Sequence, residues 1–108
     1  MNQSNRVSRR GKTMIKIMAR ISSRADSASA LGKILRDLVD PTRREPGCVS
    51  YDLFQNNDDP LEFVTIEHWT DQAAADAHLT APHVVAAIAN AGDLLAQPPA
   101  IHRYTRIS

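Results

Sequence analysis

The sequence predicts an α+β sandwich on an antiparallel sheet, and three patterns carry that prediction. Apolar residues alternate in four segments, as half-buried strands require, and recur at spacings of three and four in the stretches between, as amphipathic helices require. A single short polar link joins the two middle strands, so they form a hairpin.

"MIKIMARI", residues 14–21, places Ile15, Ile17, Ala19 and Ile21 on one face by strict alternation and is the first strand. After "SSRADS", with Ser23 and Asp26 as candidate caps, Ala28, Leu31, Ile34, Leu35, Leu38 and Val39 form the apolar stripe of a helix. Pro41 should kink or end it, because proline has no amide hydrogen and its ring clashes with the preceding turn. "REPGC" closes the turn. In the second strand, residues 48–55, Val49, Tyr51 and Leu53 alternate with Ser50, Asp52 and Phe54. "NNDDP" is a turn by composition, and "LEFVTIEHW" is a third strand rich in β-branched and aromatic residues. Thr70 or Asp71 can cap a helix through "QAAADAHL"; Thr80 can cap the next, with Pro82 tolerated in its first turn. Pro98 and Pro99 stop that helix, and "AIHRYTRI" is the last strand. The order βαββαβ is that of a ferredoxin-like sandwich.

At 108 residues the chain makes one domain, able to bury one core but with little surplus for a deep cavity of its own; a small-molecule site would gain from a second subunit. Residues 1–13 read as a flexible basic extension and residues 14–108 as the domain. Arg6, Arg9, Arg10 and Lys12 lie in the extension, leaving nine basic against twelve acidic residues elsewhere, so the domain is not built to bind nucleic acid. No run approaches the roughly 18 apolar residues of a membrane span. The single cysteine, Cys48, allows no intrachain disulfide, which fits a cytoplasmic protein.

The candidate chemistry lies in "EHWTDQAAADAHLTAPHV". His78 and His83 are five residues apart, which on a continuous helix rotates one about 140° from the other, so no metal is expected. Proton transfer is the better use: His83 would sit in the first turn of a helix, whose dipole favours a neutral imidazole able to accept a proton. The residues alone leave open plain packing roles for both. Glu67, Trp69, Phe63 and Thr65 share a strand face; Glu67 is either a catalytic carboxylate or a member of a structural ion pair, with Arg20, Arg103, Tyr51 and Tyr104 as candidate partners. Cys48 has no adjacent histidine or preceding helix N-terminus to make it nucleophilic.

The segment "PTRREPGCVSYDLFQNNDDPLEFVTIEHWTDQAAADAHLTAPHV" resembles the antibiotic biosynthesis monooxygenase domain, the dimeric α/β-barrel family that includes quinol monooxygenases. The similarity covers residues 14–107. The "TRxEPGC" turn, the Tyr51 strand, "E-x-W" at Glu67 and Trp69, and "AHL-x-x-PH" at His78 and His83 carry it. The resemblance implies a homodimer and a cofactor-independent enzyme that oxidises a small quinol-like or phenolic substrate with molecular oxygen. It implies catalytic roles for His78, His83 and Glu67, and a substrate site of Tyr51, Phe54, Phe63, Trp69 and Tyr104. Members with an asparagine, tryptophan and histidine triad carry asparagine on the first strand, where this chain has Ala19 and Arg20, and tryptophan on the helix after the third strand, where it has His78. Haem degradation is therefore not expected. The fold also hosts isomerases and non-catalytic dimeric binding proteins, which stand as the alternatives.

Overall fold

The structure, a computed structural model, describes residues 14–108. The expected extension, residues 1–13, lies outside the described residues. The strands are β1 (Ile15–Ser22), β2 (Cys48–Gln55), β3 (Glu62–Trp69) and β4 (Ala100–Tyr104). They form one sheet in the order β2-β3-β1-β4, with every neighbouring pair antiparallel. Three helices, α1 (Ala28–Arg43), α2 (Gln72–Leu79) and α3 (Pro82–Ala91), complete the α+β sandwich, and a short 3-10 turn (Gly92–Leu94) follows α3.

Strand alternation decides which side chains meet the helices. Phe63, Thr65, Glu67 and Trp69 of β3 are buried, as are Ile17, Ala19 and Ile21 of β1. The core divides into two clusters. One gathers Leu31, Leu35 and Leu38 of α1 with Ile21 and Phe63; the other gathers Ile17, Tyr51, Trp69 and Ala75. Leu31 is fully enclosed. Leu31→Ala should therefore cost about 2–5 kcal/mol, read as a lower denaturant midpoint with an unchanged slope.

Several local expectations are corrected. Neither Ser23 nor Asp26 caps α1: Ser27 holds the N-cap position, and its hydroxyl donates to Asp26 instead. Ser23 is buried, bridging to Leu95, and its hydroxyl donates to the Arg24 carbonyl. Pro41 does not end α1, which continues to Arg43. In the last turn proline removes only one amide, and the amides of Arg44 and Glu45 bond three residues back to Pro41 and Thr42, tightening the helix end. Thr80 is the C-cap of α2 rather than the N-cap of α3, a place taken by Ala81 ahead of Pro82. Asp71 caps α2, accepting from the Ala74 amide at 2.9 Å. A β-bulge between Cys48 and Ser50 pairs Cys48 with Trp69 and leaves Val49 half exposed, not on the core face. The last strand stops at Tyr104, opposite Lys16, shorter than the expected "AIHRYTRI".

The turn between α1 and β2 sets up the site. Gly47 has a φ of +83°, a left-handed conformation that other residues resist. A Cβ built there would lie 2.5 Å from the Cβ of Ala74, so only glycine lets α2 pack against the turn. The Thr70 amide bonds to the Gly47 carbonyl at 2.8 Å, tying the end of β3 to the same point. Among the described residues, no helix is long and apolar enough to cross a membrane.

Candidate active site

A cavity of about 250 Å³ lies between the sheet and the helices. Its volume exists because alanines, Ala19 on the sheet and Ala87 and Ala91 on α3, stand where larger side chains would fill it. Its floor follows from the register. Tyr51 pairs with Glu67, Glu67 with Ile17, and Ile17 with Arg103, so these four form one row across all four strands. Thr65 and Ile101 lie in the next row, on either side of Ala19. The walls are otherwise almost wholly aliphatic, from Leu31, Leu35, Leu38, Val84 and Ile88.

His78 enters this cavity from the last turn of α2. Its Nδ1 lies 2.7 Å from Oε2 of Glu45, in the turn that Gly47 shapes. Nε2 of His83, in the first turn of α3, lies 2.7 Å from the same oxygen. A carboxylate oxygen only accepts, so His78 donates from Nδ1 and His83 from Nε2. The Nε2 lone pair of His78 is thereby left as its free basic position, the arrangement by which a carboxylate fixes the tautomer of a general base. The His78 ring packs against Trp69 at 4.9 Å between centroids and Tyr51 at 5.7 Å, which fixes its plane as well.

Glu67 is buried and has no cationic partner among the described residues. Thr65 donates to its Oε2 at 2.8 Å and the Trp69 indole to its Oε1 at 3.0 Å. The expected ion pair is not formed: Arg20 pairs with Glu62 and Arg103 with Asp76. Two neutral donors from the same strand replace it, since residues two apart share a face.

This geometry sorts the expected site residues. His78, Tyr51 and Glu67 line the cavity. His83 does not line it and is joined to His78 through Glu45, and Trp69 stands behind His78 as a support. Phe63 packs in the core against α1. Phe54 and Tyr104 are corrected: paired with Val64 and Lys16, they lie on the outer face of the sheet, about half exposed. His68 is also on that face, bonded to the Ser50 hydroxyl. The sequence reading missed Glu45; it placed Thr65 on the Glu67 face and named Arg103 only as a partner for Glu67, without giving either a place in the site. Glu45 lies 33 and 38 residues from the histidines it joins, and its one signal was its place in "REPGC".

Residues 14–90 match the antibiotic biosynthesis monooxygenase family. This chain belongs to that family. Rv0793 of Mycobacterium tuberculosis, provisionally named a monooxygenase, is 38% identical over 87 residues, covering 81% of this chain and 85% of that protein. Its solved structure gives a TM-score of 0.83 at 34% identity, covering 89% of this chain and 97% of that one. PA3566 of Pseudomonas aeruginosa gives a TM-score of 0.84 at 35% identity, covering 91% and 98%. YcnE of Bacillus subtilis, also provisionally named a monooxygenase, is 31% identical over 85 residues, covering 79% and 90%. The chain thus has the ferredoxin-like fold of this family, and its membership carries a monooxygenase type of oxidoreductase function.

Within this family member the electrostatics separate donors from bases. Burial, reinforced by the Glu67 and Glu45 charges, raises the Tyr51 phenol well above its ordinary value of 10.0, so it stays a neutral donor. Burial, then Glu45, also raises the Cys48 thiol, which keeps it from acting as a thiolate. With Tyr104→Phe leaving Tyr51 as the sole tyrosine, tyrosinate absorbance should stay flat through pH 10 while the protein is folded. The unfolded chain ionises there and the native one does not, so stability should fall as pH rises above 10. Tyrosinate forming at the ordinary pH would mean that Tyr51 is not enclosed.

Proposed function

We propose that this protein is a cofactor-independent monooxygenase of a one- or two-ring phenol or quinol, with His78 as the base. The observation that carries the reading is the imidazole of His78, held at Nδ1 by Glu45, in the lining of a cavity whose other polar groups are confined to its floor. An apolar cavity of about 150 Å³ holds one benzene ring, so 250 Å³ suits a substituted or fused pair of rings.

In the proposed reaction His78 Nε2 takes the phenolic proton, and the phenolate gives one electron to oxygen. The radical pair combines at a ring carbon bearing hydrogen to form a peroxide anion on that carbon. The ring hydrogen leaves as a proton as the O–O bond breaks, and that proton and the one returned by His78 join the departing oxygen as water, which leaves a quinone. One oxygen atom enters the substrate and the other becomes water; the substrate supplies all four electrons. Tyr51 on the floor, its phenol kept protonated, supplies a donor for the substrate oxygen, and the aliphatic walls exclude water from the anion.

The same reading includes a homodimer in a reducing cytoplasm. Phe54 and Tyr104 share the outer face of the sheet with Met18, Val64 and Ile66, an apolar surface suited to a second copy. The test of function is oxygen uptake with a panel of phenols and hydroquinones, with product mass read after incubation in labelled oxygen. The expected result is one labelled atom per product. Saturable ligand binding without oxygen uptake would instead make the protein a binding module.

A further inference from the structure

Glu45, His78 and His83 have a second capacity. Their ligand atoms, one carboxylate oxygen and two imidazole nitrogens, all lie within 4.8 Å of one another. The five-residue spacing that would point the two histidines apart on a continuous helix does not do so here, because the chain breaks between α2 and α3. The break turns both rings toward the turn that carries Glu45, with their centroids 6.4 Å apart.

We propose that this cluster binds one divalent transition-metal ion of the zinc class, and that the ion and the hydrogen-bonded arrangement are alternative states of the same three side chains. Two nitrogens and a carboxylate are a ligand set that zinc, copper and nickel accept. Ligands held at about 2.1 Å in tetrahedral geometry lie roughly 3.4 Å apart. The two 2.7 Å contacts need only open by under an ångström while the nitrogens, now within 4.8 Å, close on each other, a change that small side-chain rotations of His78 and His83 provide. His78 and Glu45 are nearly enclosed, whereas the His83 side chain is 27% exposed, so an ion enters and keeps its remaining position open on the His83 side. Metal at Nδ1 of His78 moves that ring's hydrogen to Nε2. On the functional reading above, and only there, the ion would therefore switch the base off.

The reporter is built in. Trp69, the sole tryptophan, lies 4.9 Å from the His78 ring. Purified full-length protein, freed of metal with a chelator, is titrated with Cu²⁺ while tryptophan fluorescence is followed, and then with Zn²⁺ as competitor. The expected result is saturable quenching at one ion per chain, reversed by chelator and by Zn²⁺. His83→Ala should weaken it by about tenfold or more, as should Glu45→Gln, whereas His102→Ala, on the outer face, should not change it. Circular dichroism confirms that each variant is folded; if Glu45→Gln is not, His83→Ala decides alone, because His83 is the most exposed of the three. Absence of saturable quenching, or quenching unaltered in His83→Ala, overturns the proposal. The titration contains no substrate, so it stands or falls separately from the oxygen chemistry. Inhibition of oxygen uptake by Zn²⁺, relieved by chelator, is the further arm where turnover is present.

Discussion

His78→Asn should lower kcat/KM for oxygen-dependent turnover by roughly 10²–10⁴-fold, the usual contribution of a positioned general base. Asparagine is chosen because its amide hydrogen replaces the Nδ1 donor that Glu45 accepts at 2.7 Å, so the turn, α2 and α3 keep their connection. What it removes is the nitrogen at Nε2. The loss should fall on kcat more than on KM, because the aliphatic walls that hold the ring of the substrate are unchanged. Glu45→Gln should give a smaller loss, since the amide oxygen still accepts but carries no charge to stabilise the imidazolium that forms. An unchanged rate in His78→Asn would remove His78 from the reaction and leave the cavity as a binding site.

Gly47→Ala should destabilise the protein by about 2–4 kcal/mol, from two causes that act at once. The left-handed φ of +83° is costly for any residue with a Cβ, and that Cβ meets Ala74 at 2.5 Å and the Thr70 hydroxyl at 2.8 Å. Urea unfolding reads the total. Adding Ala74→Gly removes the overlap with that methyl but neither the contact with Thr70 nor the backbone strain, so the double-mutant cycle should show a favourable coupling between the two positions. Relief of the clash by outward movement of α2 would carry His78 away from Glu45. Turnover in Gly47→Ala should then fall even where the protein remains folded, and additive energies across the cycle would show that the helix is not seated on the glycine.

The elements were legible because each depends on residues close in sequence. The alternation of Ile15, Ile17, Ala19 and Ile21 needs no partner to be recognised, and the "NNDDP" turn specifies its hairpin locally. His78 and Glu67 were legible as candidates for the same reason, by residue type and strand face. The outcome for Phe54 and Tyr104 shows where this fails: the family resemblance drew both into the site, although alternation along the strand already sets Phe54 on the face opposite Tyr51. Glu45 was beyond reach for a different cause. Its partners come from two helices that follow a 24-residue hairpin region, residues 48–71, and they converge on it only because Gly47 reverses the chain and α2 and α3 part at Thr80. Pro41 was misjudged because the rule against proline applies with full force in a helix interior, and its last turn is more permissive.

The row of Tyr51, Glu67, Ile17 and Arg103 has an implication for how such a protein changes its substrate. Each member is placed by a hydrogen-bond ladder that the whole sheet shares, so moving any one of them means shifting a strand by two residues, which would unseat the core. Leu79, Val84, Ala87 and Ile88, by contrast, hang from two short helices and can be exchanged one at a time. The polar floor and the aliphatic roof are therefore free to evolve at different speeds: the chemistry is tied to the fold, and selectivity is a property of four replaceable side chains above it.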